Sequence, residues 1–163
     1  NIGLNQHLTS PRDPTMTATT HFIQLRDAAQ VEPAALDTFF DQLPAVEEAF
    51  MLGEWRGGCF RTGHPGEAML GTLNWRGKRF TSRADVSPLL CADAQGNIVV
   101  NNMLGSAQLR EVVYRGVCTA TMIYDTQPIL DHFRKIDDNS VLGAMDRKGD
   151  AQPLYFYLQR HSG

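Results

Sequence analysis

Cysteine is scarce and scattered in this sequence of 163 residues. The three cysteines, Cys59, Cys91 and Cys118, form neither a CxxC pair nor an even-numbered set, which disfavours a disulfide framework and a structural zinc site. No metal site is expected. This use of cysteine is typical of a reducing compartment, so the sequence predicts a cytoplasmic protein.

Long apolar runs and an excess of positive charge are also lacking. No segment approaches the roughly 18 apolar residues that a membrane-spanning helix needs. Lys and Arg total 15 against 18 acidic residues, which gives a net charge of -3. Nucleic acids and anionic membranes attract basic surfaces, so neither is expected as a partner. The number of subunits stays open, with a homodimer as one alternative.

The sequence contains none of the short motifs that mark the common enzyme mechanisms. GxSxG, HExxH, the P-loop and the glycine pattern of dinucleotide-binding folds are all absent. Hydrolase, metalloprotease and nucleotide-binding mechanisms therefore have no signature here. Any enzymatic activity is restricted to acid-base chemistry without a cofactor.

The pattern of the chain predicts one domain with an N-terminal extension. Residues 1–20 are rich in Thr, Pro, Asn and Ser and show no sustained period, so a poorly ordered extension is expected there. Residues 32–163 are expected to form the single domain. Within it, Pro33 begins a short amphipathic helix, because apolar residues then recur at helical spacing: Leu36, Phe39, Phe40 and Leu43.

From residue 53 onward the residue pattern is mostly typical of β-strands. Short aromatic and β-branched runs alternate with turn residues, and the longest predicted strand spans 109–124. A hairpin is predicted around the turn 93–96. About eight strands with short connections and one or two short N-terminal helices indicate a mainly β protein, a small antiparallel β-barrel.

Several segments resemble a known family. Residues 52–57 read Leu-Gly-Glu-Trp-Arg-Gly and match the Gly-x-Trp-x-Gly signature that names the GXWXG family. Residues 36–95 look like that module, and residues 105–160 look like its usual companion domain of unknown function. This resemblance implies no established activity.

A looser similarity connects the chain with lipocalins, fatty-acid-binding proteins and nitrobindins. Those barrels carry a Gly-x-Trp on the first strand and an Arg that ends the last strand, which here would be Trp55 and Arg160. The resemblance implies a lipocalin-like barrel in which the Arg stacks across the Trp at one end, a structural contact worth roughly 0.5 to 2 kcal/mol. It also raises haem binding, for which His132 is the one conceivable axial ligand.

Two predicted strands, 129–136 and 141–148, carry more charge than strands usually do. In a regular strand 129–136, side chains alternate between two faces: Leu130, His132, Arg134 and Ile136 on one, Ile129, Asp131, Phe133 and Lys135 on the other. The turn between the strands makes them antiparallel neighbours, so His132 can approach Met145 or Asp146.

These strands supply the candidate site residues. His132, with Asp131 or Asp146, is a conditional acid-base group, because a carboxylate orients an imidazole and raises its basicity. Arg134 could anchor a ligand carboxylate. Further candidates for ligand binding are Tyr124, Tyr155, Tyr157 and Lys148. Structural hydrogen bonds, surface salt bridges and aromatic packing remain the alternatives for these side chains.

The sequence therefore leads to three hypotheses. The first is that the barrel binds a small, largely apolar molecule in a cavity with a polar end. The second is a cofactor-free isomerase, cyclase or lyase that uses the same cavity. The third is a haem-binding protein.

Overall fold

The computed structural model describes residues 16–161. Within this range there are four helices: α1 (Ala18–Asp27), α2 (Pro33–Gln42), α3 (Glu48–Met51) and α4 (Pro65–Thr72). The nine strands of the same range are β1 (Gly53–Cys59), β2 (Trp75–Ser82), β3 (Asp85–Ala92), β4 (Ile98–Val100), β5 (Ala107–Tyr114), β6 (Val117–Tyr124), β7 (Ile129–Asp137), β8 (Ser140–Arg147) and β9 (Leu154–Arg160).

Eight of these strands close into an antiparallel barrel. The sheet order is β2-β1-β9-β8-β7-β6-β5-β3-β4, and an additional pairing of β2 with β3 closes the ring. Strand β4 stays outside the ring, where it pairs with β3 in the hairpin that the turn 93–96 predicts. The predicted mainly β barrel is thus confirmed.

The predicted strand 109–124 is wrong, because it is two strands. β5 and β6 pair along their whole length across a two-residue turn made by Arg115 and Gly116. Both residues have positive φ, 50° and 79°, as the tightest hairpin turns require. An Arg-Gly pair is not the usual Asn-Gly signal, so nothing in the sequence interrupts the alternation of side chains at the turn.

The barrel has one apolar core inside and another outside. The inner core contains most of the inward side chains, among them Trp55, Trp75, Phe80, Phe133 and Phe156. The outer core lies between helices α1 and α2 and the outer faces of the strands, and includes Phe22, Leu36, Phe39, Phe40, Leu142 and Tyr155. The barrel wall therefore buries both of its faces on the side that carries the helices.

Helix α1 corrects the prediction for residues 1–20. It begins at Ala18, is capped by the Thr17 hydroxyl, which accepts from Thr20 N at 3.1 Å, and buries Phe22 and Leu25. The extension predicted up to residue 20 therefore ends too late, and the part before residue 16 lies outside the described residues. Helix α2 confirms the predicted start at Pro33 and the predicted buried face.

Trp55 and Arg160 meet as the barrel resemblance implies. They are register partners on β1 and β9, and the Arg160 guanidinium carbon lies 4.3 Å from the centre of the Trp55 ring. Trp55 is 1% exposed and donates from Nε1 to the carbonyl of Met51 at 2.8 Å. This contact closes the barrel end at α3. No helix within residues 16–161 is both long and apolar enough to cross a membrane.

Candidate functional site

A buried ion pair crosses the barrel interior. Lys78 lies on β2 and Asp131 on β7, and these strands are not neighbours in the sheet, so the two side chains meet across the lumen. Lys78 Nζ lies 3.2 Å from Asp131 Oδ2, and the side chains are 4% and 2% exposed. Nζ also donates to the carbonyl of Pro88 on β3 at 3.3 Å. We call Lys78, Asp131 and the rings around them the interior site.

Three aromatic rings surround the Lys78 ammonium group. The ring centres of Trp75, Tyr124 and Phe156 lie 5.5, 5.8 and 5.2 Å from Nζ. A ring face attracts a cation, and the attraction grows when water is excluded. The rings thus stabilise the ammonium group where Asp131 and Pro88 leave it uncovered.

Of the two carboxylate oxygens of Asp131, one has a polar partner among the described residues and the other has none. Oδ1 is buried and has no hydrogen-bond partner within the described part of the chain, whereas Oδ2 contacts Lys78. Burial raises the pKa of Asp131, and the nearby Lys78 charge opposes this rise without cancelling it. Burial, with a further contribution from Asp131, also raises the pKa of Tyr124 well above its usual range. An unused buried oxygen is costly, and a ligand that donates a hydrogen bond would remove that cost.

Helix α4 lies at the barrel end where β1 ends and β2 begins. Leu70 and Leu73 pack against the inner core, yet no residue of α4 is buried. A capping box holds its N-terminus. His64 Nδ1 accepts a hydrogen bond from Gly66 N at 2.9 Å, and the Glu67 carboxylate accepts one from His64 N at 3.3 Å. The helix is therefore well formed but lightly packed on the barrel.

Cys59 ends β1 and packs against the inner core. Burial and the charge of Glu67 on α4 raise the pKa of the Cys59 thiol to about 12, and Lys78 opposes that rise. A groove of about 400 Å³ runs outside this end between the His64 loop and residues 149–153.

Lys78 is the site residue that sequence reasoning missed. Strict alternation along β2 would separate Trp75 from Lys78 and Phe80, but irregular register at Gly77 places all three side chains inside. A β-bulge of this kind cannot be read from the alternation of a single strand. The available signal was that Lys78 shares a face with Phe80.

His132 lies on the opposite face of β7 from Asp131, as the predicted faces require. Its ring stacks on Tyr114 with 3.8 Å between ring centres and 5° between planes. Nε2 lies 3.2 Å from Asp146 Oδ2, and Nδ1 lies 3.0 Å from Thr121 Oγ1. The structure therefore pairs His132 with Asp146 and not with Asp131, and this pair lies outside the barrel lumen. Its role in acid-base chemistry stays a prediction.

The hydrogen bond to Asp146 places a proton on Nε2 of His132. A carboxylate can only accept, so Nε2 carries the proton that it donates to Asp146. Nδ1 lies 3.0 Å from the Thr121 hydroxyl, which also donates to the Thr119 carbonyl at 3.1 Å. Burial lowers the pKa of His132, although the hydrogen bond and the charge of Asp146 oppose that change. Neutral His132 is therefore the form that the fold favours.

Acid is expected to destabilise the fold through His132. The unfolded chain takes up this proton near pH 6.5, whereas the folded chain resists it because burial lowers the pKa. Below that pH the unfolded state binds more protons, so the free energy of unfolding falls as pH falls. Urea unfolding between about pH 5 and pH 8 should show this loss, and a His132→Gln variant should show less of it. An unchanged pH dependence in the variant would assign the effect to other groups.

Arg134 is buried on the same outer face and acts on helix α2. Its Nη1 donates to the carbonyls of Phe40 and Leu43 at 3.1 and 2.8 Å, and the guanidinium lies 4.5 Å from the Phe40 ring centre. A cation at a helix C-terminus satisfies free carbonyls and complements the helix dipole. The structure thus places Arg134 beneath α2, away from the interior site.

The remaining predicted residues separate into different surroundings. Tyr124 belongs to the interior site, whereas Tyr155 lies in the outer core and donates to Asp37 of α2. Tyr157 packs edge-on against Phe22 at 5.1 Å. Lys148 is exposed just after β8. Of the predicted ligand-binding residues, only Tyr124 therefore contacts the polar centre of the lumen.

A polar surface pocket adjoins the His132 and Asp146 pair. It has a volume of about 260 Å³, and its lining includes Tyr114, Arg115, Asp146, Asp37 and residues 150–153. Arg115 holds helix α2 at this pocket through two bonds to Asp41, of 2.7 and 2.6 Å. The pocket lies at the surface, and none of its lining residues belongs to the interior site.

The residues present do not fit haem or a metal ion. Thr121 and Asp146 engage both nitrogens of His132, and the ring lies outside the lumen. Among residues 16–161 there is no group of three or more His, Cys, Asp or Glu side chains that could hold a metal. Haem binding stays a prediction that His132 does not support.

Comparison with known proteins identifies both halves of the chain. Residues 38–96 match the model described as GXWXG protein, and residues 105–160 match a domain of unknown function, DUF4334. The crystal structure of a protein from Thermomonospora curvata is similar, with 45% sequence identity, a TM-score of 0.84, and coverage of 90% of this chain and 99% of that one. No curated protein matches the chain significantly.

Proposed function

The chain belongs to the GXWXG family and carries the DUF4334 domain after that module, and we propose that its barrel binds a small, largely apolar molecule at the interior site. The observation that carries this proposal is the Lys78 and Asp131 pair, buried in an aromatic lumen with Asp131 Oδ1 unused. The proposed role is lipocalin-like, as a carrier or container of one ligand, and that geometry supports it.

The buried ion pair of Lys78 and Asp131 is unfavourable for stability when compared with an apolar barrel interior. Removing two charges from water costs several kcal/mol each, and an apolar pair of similar volume often gives equal or greater stability. The interior site also leaves one acceptor without a hydrogen bond, which adds to the cost. A bound ligand that completes these contacts would account for both features.

The free groups indicate the polar end of the ligand. Asp131 Oδ1 needs a hydrogen-bond donor, and the Lys78 ammonium has three donors, of which Asp131 and Pro88 use two. A hydroxyl group both donates and accepts, so it can satisfy Asp131 and Lys78 together. Trp75 and Phe156 would contact the apolar part.

The light packing of helix α4 supports entry of the ligand at the barrel end where β1 ends and β2 begins. Its residues all keep some exposure, so moving it uncovers less apolar area than moving α2 would. Displacement of Leu70 and Leu73 would free the space that they fill against the inner core. His64 and Asp150, whose Nε2 and Oδ2 are 3.4 Å apart, would separate in the same movement.

Titration with 1-decanol tests the proposal. Trp75 lies beside the interior site, so binding is expected to change its fluorescence, and a Trp55→Phe variant leaves it as the single tryptophan. Loss of a hydrogen bond to a charged group costs about 1.5 to 3 kcal/mol, so Lys78→Met should raise the Kd about 10- to 100-fold.

Lys135→Met is the matched control for this titration. Lys135 follows Arg134 on β7 and pairs with exposed Asp138 at 3.0 Å, outside the interior site. The control should bind 1-decanol like the wild type. Equal affinity of Lys78→Met and wild type would contradict the proposed anchor. Native mass spectrometry of protein purified from cells, followed by extraction, asks the same question without choosing a ligand, and a consistently empty barrel would count against the proposal.

A further inference from the structure

We propose that Lys78 captures an apolar aldehyde as a Schiff base, with Asp131 as the group that moves the proton and then pairs with the product. This inference rests on the proposed function, because the aldehyde must first enter the barrel. It assigns a ligand class, carbonyl compounds with an apolar chain, and a covalent site.

The position of the Lys78 amine favours this chemistry. Its Nζ points into the lumen among Trp75, Tyr124 and Phe156, which exclude water from around it. An imine is hydrolysed by water, so an apolar enclosure protects it once it forms. Lysines in apolar pockets commonly serve as Schiff-base nucleophiles.

Asp131 supplies what the amine lacks. A nucleophilic amine must be neutral, and Asp131 Oδ2 at 3.2 Å is placed to take the proton from the Lys78 ammonium group. The buried Oδ1 has no partner and can accept a hydrogen bond from the hydroxyl of the carbinolamine that forms first. Both oxygens of the carboxylate would therefore be used during the reaction.

The reaction balances without an added oxidant or reductant. Asp131 takes one proton from the ammonium group, and Nζ forms a bond to the carbonyl carbon as the carbonyl π electrons move to oxygen. That oxygen becomes a hydroxyl with the proton from Asp131. Asp131 next takes one of the two protons left on the nitrogen and passes it to the hydroxyl, which leaves as water while the nitrogen lone pair forms the C=N bond. The third proton stays on the nitrogen. The sum is ammonium plus aldehyde giving a protonated imine and water, so a cation still faces the Asp131 carboxylate.

The small number of lysines makes this inference easy to test. The sequence contains three, Lys78, Lys135 and Lys148. Lys78 is 3% exposed, whereas Lys135 lies partly in solvent and Lys148 is exposed. Simple chemical access therefore favours the two outer lysines, and only a specific interior site favours Lys78.

The experiment uses decanal with cyanoborohydride, which reduces an imine to a stable secondary amine. Peptide mapping by mass spectrometry should find one decyl group on Lys78 before Lys135 or Lys148 reacts appreciably. Lys78→Arg keeps a cation opposite Asp131 but has no primary amine, so the adduct at position 78 should be lost completely. If that variant fails to fold, the distribution among the three lysines of the wild-type protein still decides the question.

Binding of 1-decanol, which cannot form an imine, separates the two proposals. If 1-decanol changes Trp75 fluorescence but decanal leaves Lys78 unmodified, the Schiff base is overturned and the binding function stands. If neither ligand binds and Lys78 stays unmodified, both are overturned. Adducts that appear first on Lys135 or Lys148 also overturn the Schiff base, whereas early and selective modification of Lys78 supports it.

Discussion

Replacement of Asp131 by leucine, with Lys78 left in place, is expected to lower the free energy of unfolding by about 3 to 5 kcal/mol. The variant keeps a cation inside the barrel without a counter-charge, since Asp131 is the carboxylate in contact with Lys78 Nζ among the described residues. The Pro88 carbonyl and the surrounding rings replace only part of the lost attraction. Urea unfolding followed by circular dichroism measures the loss.

A double variant shows whether the fold itself needs the pair. Lys78→Met with Asp131→Leu replaces both charges by apolar side chains of similar length, so stability should return to the wild-type value or exceed it by about 1 to 4 kcal/mol. The matched control is Lys135→Met with Asp138→Leu, a pair at the surface in which Lys135 is partly exposed and Asp138 almost fully exposed. Its loss should change stability by about 1 kcal/mol or less. A double variant as unstable as Asp131→Leu would mean that the pair is an architectural requirement of the barrel.

The same double variant would separate fold from function. If this barrel folds as well as the wild type but no longer binds 1-decanol, the ion pair is needed for ligand binding and not for folding. The buried charges would then be a cost in stability that binding offsets, as sites with polar groups in apolar cavities often show.

The second large effect is expected for Gly57→Ala, at the last glycine of the Gly-x-Trp-x-Gly signature. A Cβ atom there would lie 2.2 Å from the Trp75 ring. That ring cannot move freely, because its Nε1 donates to the Pro88 carbonyl at 3.2 Å and it packs edge-on against Phe156 at 5.9 Å. Overpacking of this kind costs typically about 1 to 3 kcal/mol, which thermal or urea unfolding would detect.

A smaller neighbour should rescue the substitution. In a Trp75→Leu background the added methyl group no longer meets an aromatic ring, so Gly57→Ala should cost little, and the two changes should show strong coupling. Gly71→Ala is the control, since it lies in α4 with open space around its Cβ position and alanine favours a helix. Equal stability of Gly57→Ala and wild type would mean that Trp75 finds a second position without cost.

Most of the strand pattern was predictable, because it depends on neighbouring residues. The hairpin of β7 and β8 follows from two alternating runs around a turn, and the structure pairs Ile129 with Arg147 and Asp137 with Ser140. The break at Arg115 was not predictable from that rule, since its turn lacks the usual residues. Helix α1 was missed because its apolar face is short, and this face is stabilised only by packing on the barrel, where Phe22 contacts Tyr157.

The candidate site was predictable only in part. Alternation correctly separated His132 from Asp131, and the hairpin correctly brought His132 towards Asp146. Which face of β7 lines the lumen could not be inferred, since helix α2 covers the outer face with apolar residues and makes both faces dry. Arg134 therefore looked like a cavity residue, although it caps a helix outside the barrel.

The sequence by itself determined the family, the mainly β barrel and the two faces of β7, because each depends on a local motif or on the period of a strand. The stacking of Arg160 on Trp55 was predicted from the resemblance to known barrels. The tertiary structure alone decided that Lys78 meets Asp131. These residues are 53 positions apart in sequence, on strands that are not adjacent, and the irregular register of β2 around Gly77 hides which of its side chains face inward. Closure of the sheet brings them together, and no local pattern encodes which residues then face each other across the lumen.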